Sequence, residues 1–130
     1  MDGEGLRDFA RRYTGAWCSQ EPGRVAAFFA GSGSLTINAG APAVGREAIG
    51  KAAAGFMATF PDLVLTMDGI RGEGERAVYR WTLTGTSAGR RVVISGFEEW
   101  EFGADGLIAR SRGQFDEGDY RRQLEFGFGR

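Results

Sequence analysis

The sequence predicts an α+β domain in which helices come first and a largely antiparallel sheet follows. Three observations support this. Up to Phe60 the apolar residues recur at helical spacings of three and four, whereas after Pro61 the period drops to two. The alternating runs are separated by short glycine-containing segments of the kind that make hairpins. Helices followed by consecutive strands make a layered α+β unit, the helices covering one concave face of the sheet.

The first helix is predicted over Leu6 to Trp17, because Leu6, Phe9, Ala10, Tyr13, Ala16 and Trp17 fall on one face. "SQEPGRVAAFF" contains Pro22, suited to a first helical turn, and Val25, Phe28 and Phe29 as a short buried face; this is a second, short helix. "AGSGS" then reads as a turn, "LTIN" as a brief strand and "AGAPAVG" as a loop. Arg46 to Phe60 carries Ile49, Ala53, Phe56, Met57 and Phe60 on one side and stops at Pro61, which is the third helix.

Four strand-like runs follow: "LVLTMDGI", "RAVYRWTLTGTS", "RRVVISGFEEWEF" and "LIARSRGQF", with "SAGR" and "GADG" as tight connections. Gly85, Gly96 and Gly113 lie inside these runs and are candidate bends or bulges that wrap the sheet around a helix and leave a pocket. The tail "DEGDYRRQLEFGFGR" reads either as a short turn closing a rim or packing on a partner subunit, or as disorder.

The chain of 130 residues is one domain, residues 1–130, with no internal repeat or linker. Its net charge is -1 and its arginines are dispersed, which argues against nucleic acid as a partner. No run of about 18 uncharged apolar residues is present, so no membrane span is expected. The acidic start "MDGEGLRDF" does not resemble a secretory signal, and the expected location is cytoplasmic. With no histidine and one cysteine, the usual zinc ligand sets cannot form, and neither a metal nor a cofactor is expected. Acid–base work then falls to Asp, Glu, Tyr or Lys51. Cys18 lacks a histidine partner and reads as a small buried side chain. The glycine-rich segments lack the context of a phosphate loop.

Within "GFEEWEF", alternation places Glu98 on the same face as Ile94, Gly96 and Trp100. A carboxylate there either lines a pocket, pairs with an arginine or is exposed, because a buried unpaired charge costs several kcal/mol or more. Arg80 and Arg112 are the arginines placed to pair with it or to bind an anionic group of a substrate. Met57, Trp81, Trp100 and Phe115 are candidate cavity walls or core residues, and Asn38 a ligand contact or a turn residue.

"FARRYTGAW", "GREAI", "AVYRWTLTGTSAG", "GFEEWEFGADGLIARSRGQFD" and "RRQL", in that order, resemble the SnoaL-like branch of the nuclear transport factor 2-like, or ketosteroid isomerase-like, superfamily. The resemblance spans roughly residues 6 to 125. It implies a cone-shaped, barrel-like α+β fold, three N-terminal helices packed in a strongly curved mixed sheet, and a homodimer formed through the outer sheet face. It also implies a small hydrophobic or polycyclic ligand. By analogy with ketosteroid isomerases, Tyr13 and a protonated Glu98 form an oxyanion hole, while the position of the base falls at Asn38, an amide without useful basicity. By analogy with SnoaL-type polyketide cyclases, the acid–base residue is Asp116, with Asp119 as its neighbour in the event of a bulge. The implied activity is a cofactor-independent cyclase or isomerase of a carbonyl or polycyclic compound. A non-catalytic ligand-binding or dimerisation module and an epoxide hydrolase-like activity are the alternatives.

Overall fold

The computed structural model describes residues 1–129. In chain order it contains α1 (Gly3–Cys18), α2 (Pro22–Ala26), β1 (Phe29–Ile37), β2 (Ala43–Val44), α3 (Arg46–Thr59), β3 (Val64–Glu73), β4 (Arg76–Ser87), β5 (Arg90–Phe102), β6 (Ile108–Phe115) and α4 (Glu117–Phe126).

The helices form where the apolar spacing places them. In α1 the predicted stripe Leu6, Phe9, Ala10, Tyr13, Ala16 and Trp17 is buried, and the helix begins before Leu6 because the Asp2 carboxylate caps it, accepting from the Gly5 N–H at 2.7 Å. Pro22 occupies the first turn of α2. Helix α3 runs from Arg46 and ends one residue before Phe60, whose N–H closes the last turn on the Phe56 carbonyl ahead of Pro61. The runs read as the middle two long strands have the bounds of β4 and β5, and Ala88 and Gly89, both with positive φ, make the tight hairpin between them.

The strands form one mixed sheet in the order β2-β1-β6-β5-β4-β3, with β1 and β6 parallel and the other pairs antiparallel. The expected cone-shaped barrel with a strongly curved sheet does not form. The sheet is open and not strongly curled, with β2 and β3 as unjoined edges. Closure would need those two edges to share a hydrogen-bond ladder, and β2 is only two residues long.

The interior glycines are not the bulges that the sequence offered as one reading of them. The register shifts fall at Phe29/Ser34, Met67/Gly69 and Glu101/Phe102, not at Gly85, Gly96 or Gly113. Gly85 and Gly96 instead make room for rings. A Cβ at Gly85 would lie 2.8 Å from Phe60, and one at Gly96 would lie 2.6 Å from Trp81 and 2.3 Å from the Gln114 carbonyl.

Two further segments differ from expectation. "AGSGS" is part of β1, but only its Ser34 is in register with β2 and β6; residues 30–33 form the irregularity between Phe29 and Ser34, with Gly33 too close to the Ile108 carbonyl to carry a side chain. Within the tail, residues 117–126 form a ten-residue helix, α4, capped by Asp116, in place of the expected short turn or disorder. Strand β5 begins beyond the end of β6, which leaves the Val93 backbone without a strand neighbour on that side. The buried Gln123 amide of α4 takes that place, accepting from the Val93 N–H at 2.7 Å and donating to the Val93 carbonyl at 2.9 Å. A helix thus docks where a strand is missing.

Candidate functional site

Alternation along β5 turns Val92, Ile94, Glu98 and Trp100 inward, and the pairing Trp100↔Ser111, Glu98↔Gly113 and Gly96↔Phe115 places their β6 neighbours on the same face. Glu98 is consequently buried, 6% exposed, in the core. Its Oε1 accepts three hydrogen bonds: from the Tyr13 hydroxyl of α1 at 2.9 Å, the Trp100 indole at 3.0 Å and the Ser111 hydroxyl of β6 at 2.7 Å. Its Oε2 receives only a longer share of the Tyr13 hydroxyl, at 3.2 Å. Both Tyr13 and Ser111 are fully buried. Tyr13 is held edge-on between Phe28, Tyr79 and Trp100, and Tyr79 stacks on Trp100 at 4.8 Å.

Glu98 forms no ion pair among the described residues. Arg80 and Arg112 are exposed and pair across the ladder with Phe97 and Glu99, the outward-facing neighbours of Glu98. Burial is therefore uncompensated by a cation and holds the Glu98 carboxyl above the ordinary carboxylate value, although the Trp100, Ser111 and Tyr13 donors pull it the other way. Burial, followed by the nearby Glu98 charge, also raises Tyr13 well above the usual phenol value.

Glu98 opens onto a small, mostly apolar cavity of about 50 Å³ that communicates with solvent. The wall is made by Trp17, Leu35, Ile37, Phe56, Leu65, Trp81, Leu83, Ile94, Gly113, Phe115 and Tyr120. Gly113 faces Glu98 directly; a Cβ there would sit 3.5 Å from the Glu98 Cγ and narrow the space beside the carboxyl.

Of the residues singled out in the sequence, Glu98, Trp81 and Phe115 line this cavity, and Tyr13 and Trp100 lie behind the carboxyl that they hydrogen-bond. Met57 is core, 3% exposed, and is not in the wall. Asn38 has positive φ and spends its Oδ1 on the Phe115 N–H at 2.9 Å, fastening the end of β1 to β6. Asp116 is exposed and accepts from the Asp119 N–H at 2.9 Å as the cap of α4; neither aspartate lines the cavity. Cys18 is exposed rather than buried.

Three contributors escaped the sequence reading. Trp17 lay in the predicted core stripe of the first helix, with nothing to separate wall from core. Tyr120 belongs to a tail whose helix was not foreseen. Ser111 did carry a signal: in the alternating run it sits between Arg110 and Arg112, and outward arginines imply an inward serine.

Among the described residues, no helix is long and apolar enough to cross a membrane, and no cluster of three or more potential metal ligands occurs. Residues 10–111 match the SnoaL-like domain family. The chain belongs to that family. No curated protein sequence matches it significantly. Its fold recurs in a protein of Catenulispora acidiphila with a ketosteroid isomerase-like fold, solved in complex with trimethylamine (TM-score 0.82, 16% identity, 91% of this chain and 92% of that one). It also recurs in an ntf2-like protein of unknown function from Burkholderia pseudomallei (0.81, 20%, 95% and 98%). A candidate SnoaL-like polyketide cyclase from Jannaschia sp. is a third (0.75, 16%, 95% and 96%). The fold of this SnoaL-like domain is thus one associated with cyclase- and isomerase-type enzymes that bind small molecules.

Proposed function

We propose that this SnoaL-like domain is a cofactor-independent cyclase or isomerase that activates a small, largely apolar carbonyl compound through a neutral Glu98. The observation that carries the reading is the asymmetry of the carboxyl: three donors occupy Oε1, while Oε2 receives a single long contact beside the cavity. In the neutral acid the proton belongs on Oε2, because Oε1 is already surrounded by donors. A carbonyl oxygen entering the cavity then takes that hydrogen bond, and the carbonyl carbon becomes more electrophilic. As an intramolecular enol carbon attacks it, the new C–C bond forms, the C=O π pair moves to oxygen, and the Glu98 proton follows. The carboxylate so formed is stabilised by Tyr13, Trp100 and Ser111 and regains its proton when the enol oxygen releases its own. A β-dicarbonyl substrate is already partly enolised, which fits a site where Asn38 is committed to Phe115 and Asp116 to α4.

The test is ring closure of a small linear triketone and α-proton exchange of cyclic diketones in D₂O, both followed by NMR with wild type and Glu98→Gln. Loss of one positioned acid lowers such rates by about 10²–10⁴-fold. Equal rates in the two proteins, or the absence of turnover by wild type, would withdraw the catalytic assignment. Binding without turnover would establish a ligand-binding module, the second reading, favoured by the outward position of Asp116. The trimethylamine in the Catenulispora protein suggests a variant of that module, an amine held among Trp17, Phe56, Trp81, Phe115 and Tyr120 by a charged Glu98. Amine affinity rising with pH above neutrality would support it.

Dimerisation through the outer sheet face belongs to the same proposal. That face carries Phe97, 37% exposed, among Arg76, Arg80, Glu99, Glu101, Arg110 and Arg112. Opposite charges in adjacent columns suit a self-complementary contact. Sedimentation velocity in low and high salt tests it, and a monomer throughout would remove it.

A further inference from the structure

The unpartnered polar atoms of the cavity wall say which ligand chemistry it takes. Among the described residues, buried side-chain polar atoms without a hydrogen bond are Trp17 Nε1, Asn38 Nδ2 and Trp81 Nε1. All three are donors, and none is an acceptor. Trp17 and Trp81 both belong to the cavity wall, and both are more than nine-tenths buried. Buried indole N–H groups almost always find a partner, because desolvating one without an acceptor costs about 1–3 kcal/mol. The Trp17 indole lies close enough to the Tyr13 hydroxyl to act on it as a hydrogen-bond donor, whereas Trp81 has no such neighbour, so Trp81 is the donor left for a ligand.

Trp81 is also held in place by its surroundings. It stands opposite Gly96 in the β4–β5 ladder, its six-membered ring filling the space a Gly96 side chain would need, and it packs edge-on against Phe115 at 5.9 Å. Glu98 is two residues further along β5 on the same face, a row offset of about 7 Å. An oxygen hydrogen-bonded to Glu98 and one hydrogen-bonded to Trp81 therefore belong to separate positions on a ligand.

We infer that the cavity binds a compound with two separate acceptor oxygens and no exposed donors, a diketone or quinone-like ring, with one oxygen on Glu98 and the other on the Trp81 indole N–H. This rests on the Glu98 site proposed above but not on turnover. Alcohols and phenols are disfavoured because their hydroxyl protons find no acceptor among the unpartnered buried atoms, and ammonium ions because they leave the Trp81 indole unsatisfied.

The test is binding of cyclohexane-1,4-dione, cyclohexanone and trans-cyclohexane-1,4-diol to the ¹⁵N-labelled full chain, followed on its three indole N–H resonances. One added hydrogen bond corresponds to a factor of about ten in affinity. The dione should bind about tenfold more tightly than cyclohexanone and shift the Trp81 indole proton downfield in wild type. In Trp81→Phe the dione should lose that advantage while cyclohexanone keeps its affinity. Equal affinities for the two ketones in wild type, preference for the diol, failure of both ketones to bind, or an unmoved Trp81 resonance would each overturn the inference. Should Trp81→Phe fail to fold, the wild-type affinity ratio and resonance shift decide alone. Dione binding of the expected kind without any ring closure or exchange would leave this inference standing and sink only the catalytic assignment.

Discussion

Replacing Glu98 by Gln gives a measurement of whether the buried acid is neutral, independent of any substrate. The folded chain holds the carboxyl above its ordinary value of 4.5, and burial is the leading cause. For an acid raised on folding, the folded state binds more protons than the unfolded state between the two pKa values. Its stabilising contribution is complete below about pH 4.5 and is lost as pH rises through the folded value. Glutamine has the shape of the neutral acid and no titration. The difference in stability, Glu98→Gln minus wild type, should thus climb in favour of the variant by about 1.4 kcal/mol per pH unit above the ordinary value, levelling off once wild type ionises. A constant offset of about 1 kcal/mol against the variant is expected from the added amide donor, which faces a cavity without a protein acceptor.

Urea unfolding of both proteins between pH 4.5 and 8, followed by tryptophan fluorescence, provides the difference directly, and the shared titrations of all other groups cancel. A flat difference would mean that the donors on Oε1 fully offset burial. A difference that falls with pH would mean a carboxylate stabilised by the fold. Either result refutes a neutral Glu98 and with it the proposed acid.

Tyr13→Phe removes a donor to Glu98 and should cost about 1–2 kcal/mol while moving the Glu98 titration further upward; an unchanged carboxyl titration in ¹³C NMR would contradict the geometry. Gly96→Ala drives a methyl into the Gln114 carbonyl and the Trp81 ring and should cost about 1–3 kcal/mol in chemical denaturation, whereas a bulge at Gly96 would tolerate it. Asp116→Ala should cost about 1 kcal/mol through loss of the α4 cap with turnover unaffected; loss of turnover at unaltered stability would restore Asp116 as the proton-moving group. Gln123→Ala strips both Val93 backbone groups of their partner and should destabilise by about 2–4 kcal/mol and speed hydrogen exchange at Val93, since each orphaned group costs about 1–3 kcal/mol.

The parts of the fold legible in the sequence were those governed by a local period. Helices α1 and α3 and strands β4 and β5 carry uninterrupted patterns, and their bounds lie within a few residues of the reading. β1 was missed in "AGSGS" because glycine and serine have no apolar period; the strand is anchored on either side of residues 30–33, at Phe29 and from Ser34 onward, by partners distant in sequence. Helix α4 was missed because its buried contact is a glutamine, which no hydrophobic pattern reveals. At the site, alternation placed Glu98 beside Trp100, and the helical stripe placed Tyr13 inward. Neither could tell that the two meet at 2.9 Å, nor that Arg80 and Arg112 face away from them.

Side-chain order along the chain determined by itself which residues face inward, because a period of 3.6 or two is a property of each segment alone. It therefore placed an acid among aromatics and denied the chain histidine chemistry. Tertiary structure decided whether the sheet closes, what meets Glu98 and which donors go without acceptors. Those depend on contacts between segments distant in sequence, such as the 85 residues separating Tyr13 from Glu98, and no local period encodes them.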